Sequence, residues 1–292
     1  MKWMNCACLA VAAVLVLSAP ASAVVKFNEL YVGPEDRNPG DDGHGREFIE
    51  LRSTTPNESL SGLWILEING ESLDAGIVEQ ALNLGAVPVP QTGTNGLFLW
   101  RDEKVDGQDL VPPPDPATVI HYEDFQGDGL QKGDNATYLL VQNFTGTLGD
   151  DLDFIGGDGD GVLDSTPWSA VIDAIGIKEA ETDGFSYAGA LGGIDLDEWD
   201  FGPDAFSLLP SLGQWFSFDS GDGEELPDYY GPFYASDGTD YALQDGSQPP
   251  IGVVSQYCLT PGSANRDLVP EPATAVLAIV AALAVGACGR RR

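Results

Sequence analysis

Leu63-Trp64-Ile65-Leu66 is a run of four apolar residues set between Ser61-Gly62 and, after Glu67-Ile68, Asn69-Gly70. Successive side chains of a strand point to opposite faces, so this run predicts a strand packed on both sides. Working outward, seven more short runs rich in β-branched and aromatic residues read the same way: 24–31, 47–52, 97–101, 118–122, 136–141, 170–175 and 215–218. Gly, Pro, Asn and Asp clusters separate them. No long stretch shows apolar residues at helical spacing, and Ala75–Leu84 is the one segment read as a short helix. About eight short strands with frequent turn signals predict an all-β protein, a β-sandwich.

The chain has 292 residues, 43% of them hydrophobic, with 6 Trp, 9 Tyr and 12 Phe. That composition supports a sizeable core and excludes a disordered acidic tail. Four cysteines are too few for a disulfide scaffold. The formal net charge is −33, with 46 Asp+Glu against 13 Lys+Arg. Nucleic acid is thereby excluded as a partner, because phosphate neutralisation needs clustered cations.

Both ends read as addresses. Residues 1–23 have the form of a secretory signal: Lys2, an apolar run from Cys8 to Leu17, and the cleavage pattern Ala21-Ser22-Ala23, with Ala21 and Ala23 as its small residues. At the other end, Ala273 to Gly289 is apolar or small throughout, and Arg290, Arg291 and Arg292 follow. Seventeen residues lie at the lower limit of a membrane span, which usually needs ~20. The Arg cluster predicts a cytoplasmic C-terminus, leaving residues 24 to about 269 outside with a charge of about −36. No linker-like break divides that segment. One decorated sandwich over 24–266 is therefore expected, at roughly 245 residues far larger than the ~100 of a minimal immunoglobulin-like sandwich.

Pro270, Glu271 and Pro272 stand just before the apolar run. Pro-Glu-Pro, a short span and terminal arginines resemble the PEP-CTERM sorting signal over 267–292. The resemblance implies processing by an exosortase-type membrane enzyme. It implies a stay in the inner membrane through the C-terminal helix before processing, then delivery to the envelope, cell surface or extracellular polysaccharide matrix. The alternatives are a plain tail anchor and a GPI signal, though the latter normally ends in its apolar tail rather than in three Arg.

A second resemblance rests on three ordered pieces. Val25-Lys26-Phe27-Asn28-Glu29-Leu30 is followed by Arg46-Glu47-Phe48-Ile49-Glu50-Leu51; next comes Leu60-Ser61-Gly62-Leu63-Trp64-Ile65-Leu66; Thr260-Pro261-Gly262-Ser263-Ala264-Asn265 closes the set. Together they are similar to the lamin tail domain family, which implies an immunoglobulin-like sandwich acting as a non-catalytic interaction module. Almost 200 residues separate the second and third pieces, more than that family's core needs, so long insertions are expected. Glu29, Glu47 and Glu50 are expected to face solvent at strand edges, the alternative being pairing with Arg46 or Arg52.

The most heavily charged stretch runs from Asp150 to Asp164. Asp151, Asp153, Asp158, Asp160 and Asp164 lie there on a Gly-rich turn and are the candidate calcium ligands. Ca²⁺ takes six to eight oxygens on a flexible loop. A complete EF-hand loop is excluded, because Gly156 and Pro167 stand where its two strong end ligands belong. The alternative is a solvated acidic turn, since Asp and Gly favour turns for backbone reasons.

No catalytic residue is assigned. Only His44 and His121 exist, no G-x-S-x-G turn surrounds any Ser, and Cys258 has no His near it in sequence. Trp64, Trp100 and Trp215 are expected in the core, leaving Trp168 and Trp199 as carbohydrate-facing candidates. The sequence thus points to an exported, non-enzymatic surface or matrix protein with a calcium-stabilised sandwich. The alternatives are a secreted metal-dependent hydrolase acting on polysaccharide or phosphoester, and a carbohydrate-binding module.

Overall fold

The computed structural model describes residues 24–32, 47–71, 74–102, 113–123, 125–126, 129–130, 135–154, 160–179, 184–199, 205–209, 214–218, 234–235 and 259–265. The signal segment 1–23, the tail 266–292, Asp158, His44 and Cys258 lie outside these residues.

Two mixed sheets face each other. The first runs β12 (Tyr234–Ala235), β11 (Gln214–Phe218), β10 (Ala205–Leu209), β1 (Val25–Tyr31), β2 (Phe48–Ser53), β5 (Leu97–Arg101) and β6 (Val119–Tyr122). The second runs β4 (Val78–Asn83), β3 (Leu63–Asn69), β7 (Ala136–Gln142), β8 (Ala170–Glu179) and β9 (Ile194–Trp199). All neighbours are antiparallel except β5 with β6 and β8 with β9. The one helical element among the described residues is a 3₁₀ turn at Gly189–Leu191. No helix there is long and apolar enough to cross a membrane.

Between the sheets lies the main core. Phe27, Leu30, Ile49, Leu51, Phe98, Trp100, Phe206 and Trp215 from the first sheet meet Ile65, Leu82, Tyr138, Leu140, Ile175 and Leu196 from the second. A second cluster covers the outer face of the second sheet: Leu66, Ile68, Leu139 and Val141 pack against Phe144, Leu152, Tyr187 and Ala188 from the connections. The two-faced reading of 63–66 is therefore realised, with Ile65 in one cluster and Leu66 in the other. This second core is what the long connections of the chain build.

All eight sequence-predicted strands form: Leu97–Arg101 with the expected bounds, most of the others shifted by a residue at an end, and β8 running on to Glu179. The short helix expected over Ala75–Leu84 does not form. Its second half is β4, whose residues alternate buried and half-buried. Gln80 disguised that alternation, because it occupies a buried position as a polar residue. Its Nε2 donates to the Gln126 and Gly129 carbonyls at 2.9 and 3.0 Å, and its Oε1 accepts the Gln126 N–H at 2.8 Å. Strands β9, β10 and β12 were not anticipated either.

Candidate functional site

Two polar sites stand out, one in a loop and one on the outer face of the first sheet. The loop site begins where Asp151 makes an isolated bridge with Ile77 and the chain turns back on itself. The Asp164 and Ser165 N–H groups both donate to the Leu152 carbonyl, closing the base of the loop. Asp153 lies inside that base, with 1% of its surface exposed. Its Oδ2 accepts the Gly161 N–H at 3.0 Å and the Tyr187 hydroxyl at 2.9 Å. Its Oδ1 is buried and has no hydrogen-bond partner among the described residues. Asp151 Oδ1 accepts the Asp153 N–H at 3.1 Å, and Asp160 Oδ1 accepts the Val162 N–H at 3.0 Å.

Burial pushes the Tyr187 hydroxyl above its usual range; its hydrogen bond to Asp153 and the charges of Asp153, Asp151 and Asp160 add to that. Those three carboxylates therefore act on one buried phenol. Asp164 is exposed and contributes through its backbone. Gly76 makes room for this arrangement. It has φ +91°, and a Cβ there would stand 2.6 Å from both the Cβ and the N of Asp153. Neither Tyr187 nor Gly76 could be picked from sequence, since they lie 34 and 77 residues from Asp153 with no shared pattern.

Among the described residues, no group of three or more His, Cys, Asp or Glu side chains is gathered as a metal ion would require. The residues nevertheless fit a cation in one respect: a carboxylate oxygen is buried without a donor, an arrangement that desolvates charge unless something positive meets it.

The second site is a closing network. In the register of β1 with β2, Phe27 opposes Leu51 and Glu29 opposes Glu50, so Asn28 is an extra, bulged residue. The bulge lets consecutive residues Asn28 and Glu29 both reach segment 259–265, which lies over the outer face. Glu29 accepts the Thr260 N–H (2.8 Å to Oε2), the Thr260 hydroxyl (3.1 Å) and the Ser207 hydroxyl (3.0 Å). Glu50 accepts the Asn28 amide on Oε1 and the Gly262 N–H on Oε2, both at 2.5 Å. Asn265 donates to the Leu208 carbonyl (2.5 Å), Ser207 Oγ (3.0 Å) and the Asn28 carbonyl (3.2 Å), and accepts from the Asn28 amide (2.6 Å).

The expectation that Glu29, Glu47 and Glu50 face solvent is overturned: all three are buried. Segment 259–265 covers the first and third, and Glu47 turns to the Leu130 N–H at 3.1 Å. The network joins Asn28 and Glu29 from the first quoted piece, Glu50 beside them, and Thr260, Gly262 and Asn265 from the last. Gly262 has φ +69°, and a Cβ there would meet Pro114 Cβ at 2.5 Å, so a turn of the 113–118 segment locks the cover in place.

The aromatic candidates divide. Trp100 and Trp215 are in the main core, and Trp64 packs edge-on to Phe144 at 5.5 Å. Trp168 is partly buried against the second cluster. His121 meets Glu123 at 2.9 Å. Compared with protein-family models, curated proteins and solved structures, the chain matches none.

Proposed function

We propose that this chain is an exported, non-enzymatic cell-surface or matrix protein whose sandwich is an immunoglobulin-like interaction domain of the lamin-tail type. The observation that carries the reading is the closing network. Residues quoted for the resemblance from opposite ends of the domain, Asn28, Glu29 and Glu50 with Thr260, Gly262 and Asn265, are buried together and hydrogen-bond to one another. Motif residues far apart in sequence that serve one buried network have a physical reason to occur together. Residues 1–23 would export the chain. Residues 267–292, with Pro270-Glu271-Pro272, the C-terminal helix and Arg290–Arg292, would hold it in the inner membrane until an exosortase-type enzyme processes it. The destination is the envelope, surface or extracellular polysaccharide.

The acidic loop supports a second element of the proposal, that calcium stabilises the domain. The buried Asp153 Oδ1 would be its inner ligand, with Asp151 and Asp160 beside it and Asp158 called on from the same loop. Calcium at millimolar concentration would also weaken self-repulsion in a chain of charge −33.

Thermal unfolding of the exported protein in EDTA, then with titrated Ca²⁺, tests the calcium element. A ligand of the native state raises the midpoint saturably. The rise is expected to vanish in Asp153→Asn, and a flat response in the unaltered protein refutes it. Sorting is tested by Glu271→Ala in a host carrying an exosortase: precursor is expected to accumulate in the membrane fraction, and unchanged processing refutes that element alone.

A further inference from the structure

Glu29 and Glu50 are directly opposed across β1 and β2, which places their Cβ atoms roughly 5 Å apart. Both are fully buried. Among the described residues no cation lies within ion-pair distance of either. On the pair's own strands, alternation puts Arg52 of β2 on the same outer face, two residues beyond Glu50, with Lys26 of β1 opposite it; the charges of both act on Asp173, which Lys26 meets at 3.9 Å. On β5, strand alternation puts Arg101 on the same outer face, two residues beyond Leu99, the residue opposite Glu50; its guanidinium lies over the Tyr122 ring. Tyr31 of β1 shares the face and packs on Phe48. The described side chains of β10 and β11 add no titratable group, and segment 259–265 contains none. The 113–118 turn adds only Asp115, exposed, whose N–H donates to the Gly262 carbonyl.

Two buried like charges so placed cannot both persist, and one keeps its proton. The hydrogen bonds decide which. Both oxygens of Glu50 meet N–H donors, from Asn28 and Gly262, and an N–H cannot accept a proton's hydrogen bond. Glu29 Oε1 also meets an N–H, that of Thr260 at 3.1 Å, but unlike either Glu50 oxygen it meets two hydroxyls as well, those of Thr260 and Ser207. Thr260 Oγ1 can turn to accept from a protonated carboxyl while its own hydrogen goes to the Ser263 carbonyl at 3.4 Å. A metal ion does not fit the pair, because N–H and O–H donors already occupy its oxygens.

We propose that the Glu29–Glu50 pair holds one proton, on Glu29 facing Thr260 Oγ1, and that this proton fastens segment 259–265 as a latch that releases when it is lost. Proton loss leaves two anions under the cover, and opening the cover lets water reach them. Burial pushes Glu29 up from 4.5 to about 8, and Glu50 is raised in the same direction by burial and by the Glu29 charge. The folded value lies above the free one. The proton therefore contributes fully below pH ~4.5, and its contribution is lost progressively as pH rises to about 8.

The test uses amide exchange in the full chain, read by NMR. The reporters are the Thr260 and Gly262 amides, which donate to the two carboxylates, each measured as a ratio to the exchange rate of the same amide in the urea-unfolded chain at the same pH. The ratio cancels the ordinary base dependence of exchange. It is expected to rise about tenfold per pH unit between pH 6 and 8 and to level off above, as release of one proton requires. Glu29→Gln keeps the shape and needs no proton, so its ratio is expected to stay flat. A flat ratio in the unaltered chain, or a rise that persists in Glu29→Gln, overturns the proposal. Should Glu29→Gln not fold, carboxyl-carbon NMR of the unaltered chain decides. One glutamate titrating above pH 7, with the Thr260 amide following it, supports the latch; no glutamate titrating there overturns it.

Discussion

Asn265→Ala isolates what holds the closing segment in place. The side chain is 8% exposed and has four hydrogen-bonding partners: Asn28 Nδ2, the Asn28 carbonyl, Ser207 Oγ and the Leu208 carbonyl. Its amide has two hydrogens, so two of the three acceptors are served fully and the third is shared. With the bond it accepts, about three net hydrogen bonds are lost. At ~1 kcal/mol each, truncation removes roughly 3 kcal/mol, with the buried Leu208 carbonyl and Asn28 amide left short of partners. That is a large part of a typical stability of ~5–15 kcal/mol. In a domain of this size it corresponds to a midpoint lowered by roughly 6–12 °C. Urea unfolding gives the free energy, and limited proteolysis after residue 258 shows whether the segment detaches first. Asn265→Asp is expected to be worse at neutral pH, because it sets a third carboxylate beside Glu29 and Glu50. A loss below ~0.5 kcal/mol in Asn265→Ala, or an Asp variant no worse than the Ala one, would refute the claim that this network closes the domain.

Two further outcomes follow from the packing. Gly76→Ala places a Cβ against Asp153 at positive φ, so it is expected to lower stability by at least ~1–2 kcal/mol and, if calcium binds, to weaken the calcium response; equal unfolding curves and equal titrations would count against the close packing of the acidic loop. Ile65→Ala and Leu66→Ala are each expected to cost ~2–5 kcal/mol, since adjacent side chains of β3 enter separate cores; a Leu66 variant within 1 kcal/mol of the parent would mean the outer cluster is not a true core.

How much of this was legible depended on the range of the interaction. The run at 63–66 announced a two-sided strand because its apolar residues are contiguous, which needs no knowledge of what packs on them. β4 was misread because its decisive residue, Gln80, is polar yet buried, a position made tolerable only by the backbone of residues 126 and 129. β9 shows only a short alternation, Ile194-Asp195-Leu196-Asp197, within an acidic stretch; its apolar members reach the main core because β8 offers the strand a parallel edge.

The candidate sites divide the same way. Asp151, Asp153, Asp160 and Asp164 were visible as a composition, and their sequence positions are equivalent. Only the fold makes Asp153 different, by burying it under Tyr187 and against Gly76 while leaving Asp151, Asp160 and Asp164 exposed. The quoted pieces at 25–30, 46–51 and 260–265 were visible as an ordered set. The sequence by itself determined the strand-rich class, the charge and those pieces, because each is fixed by neighbouring residues. The tertiary structure alone decided that glutamates on two strands are interior. Burial depends on what covers a face, and the cover here, residues 259–265, comes more than two hundred residues later in the chain.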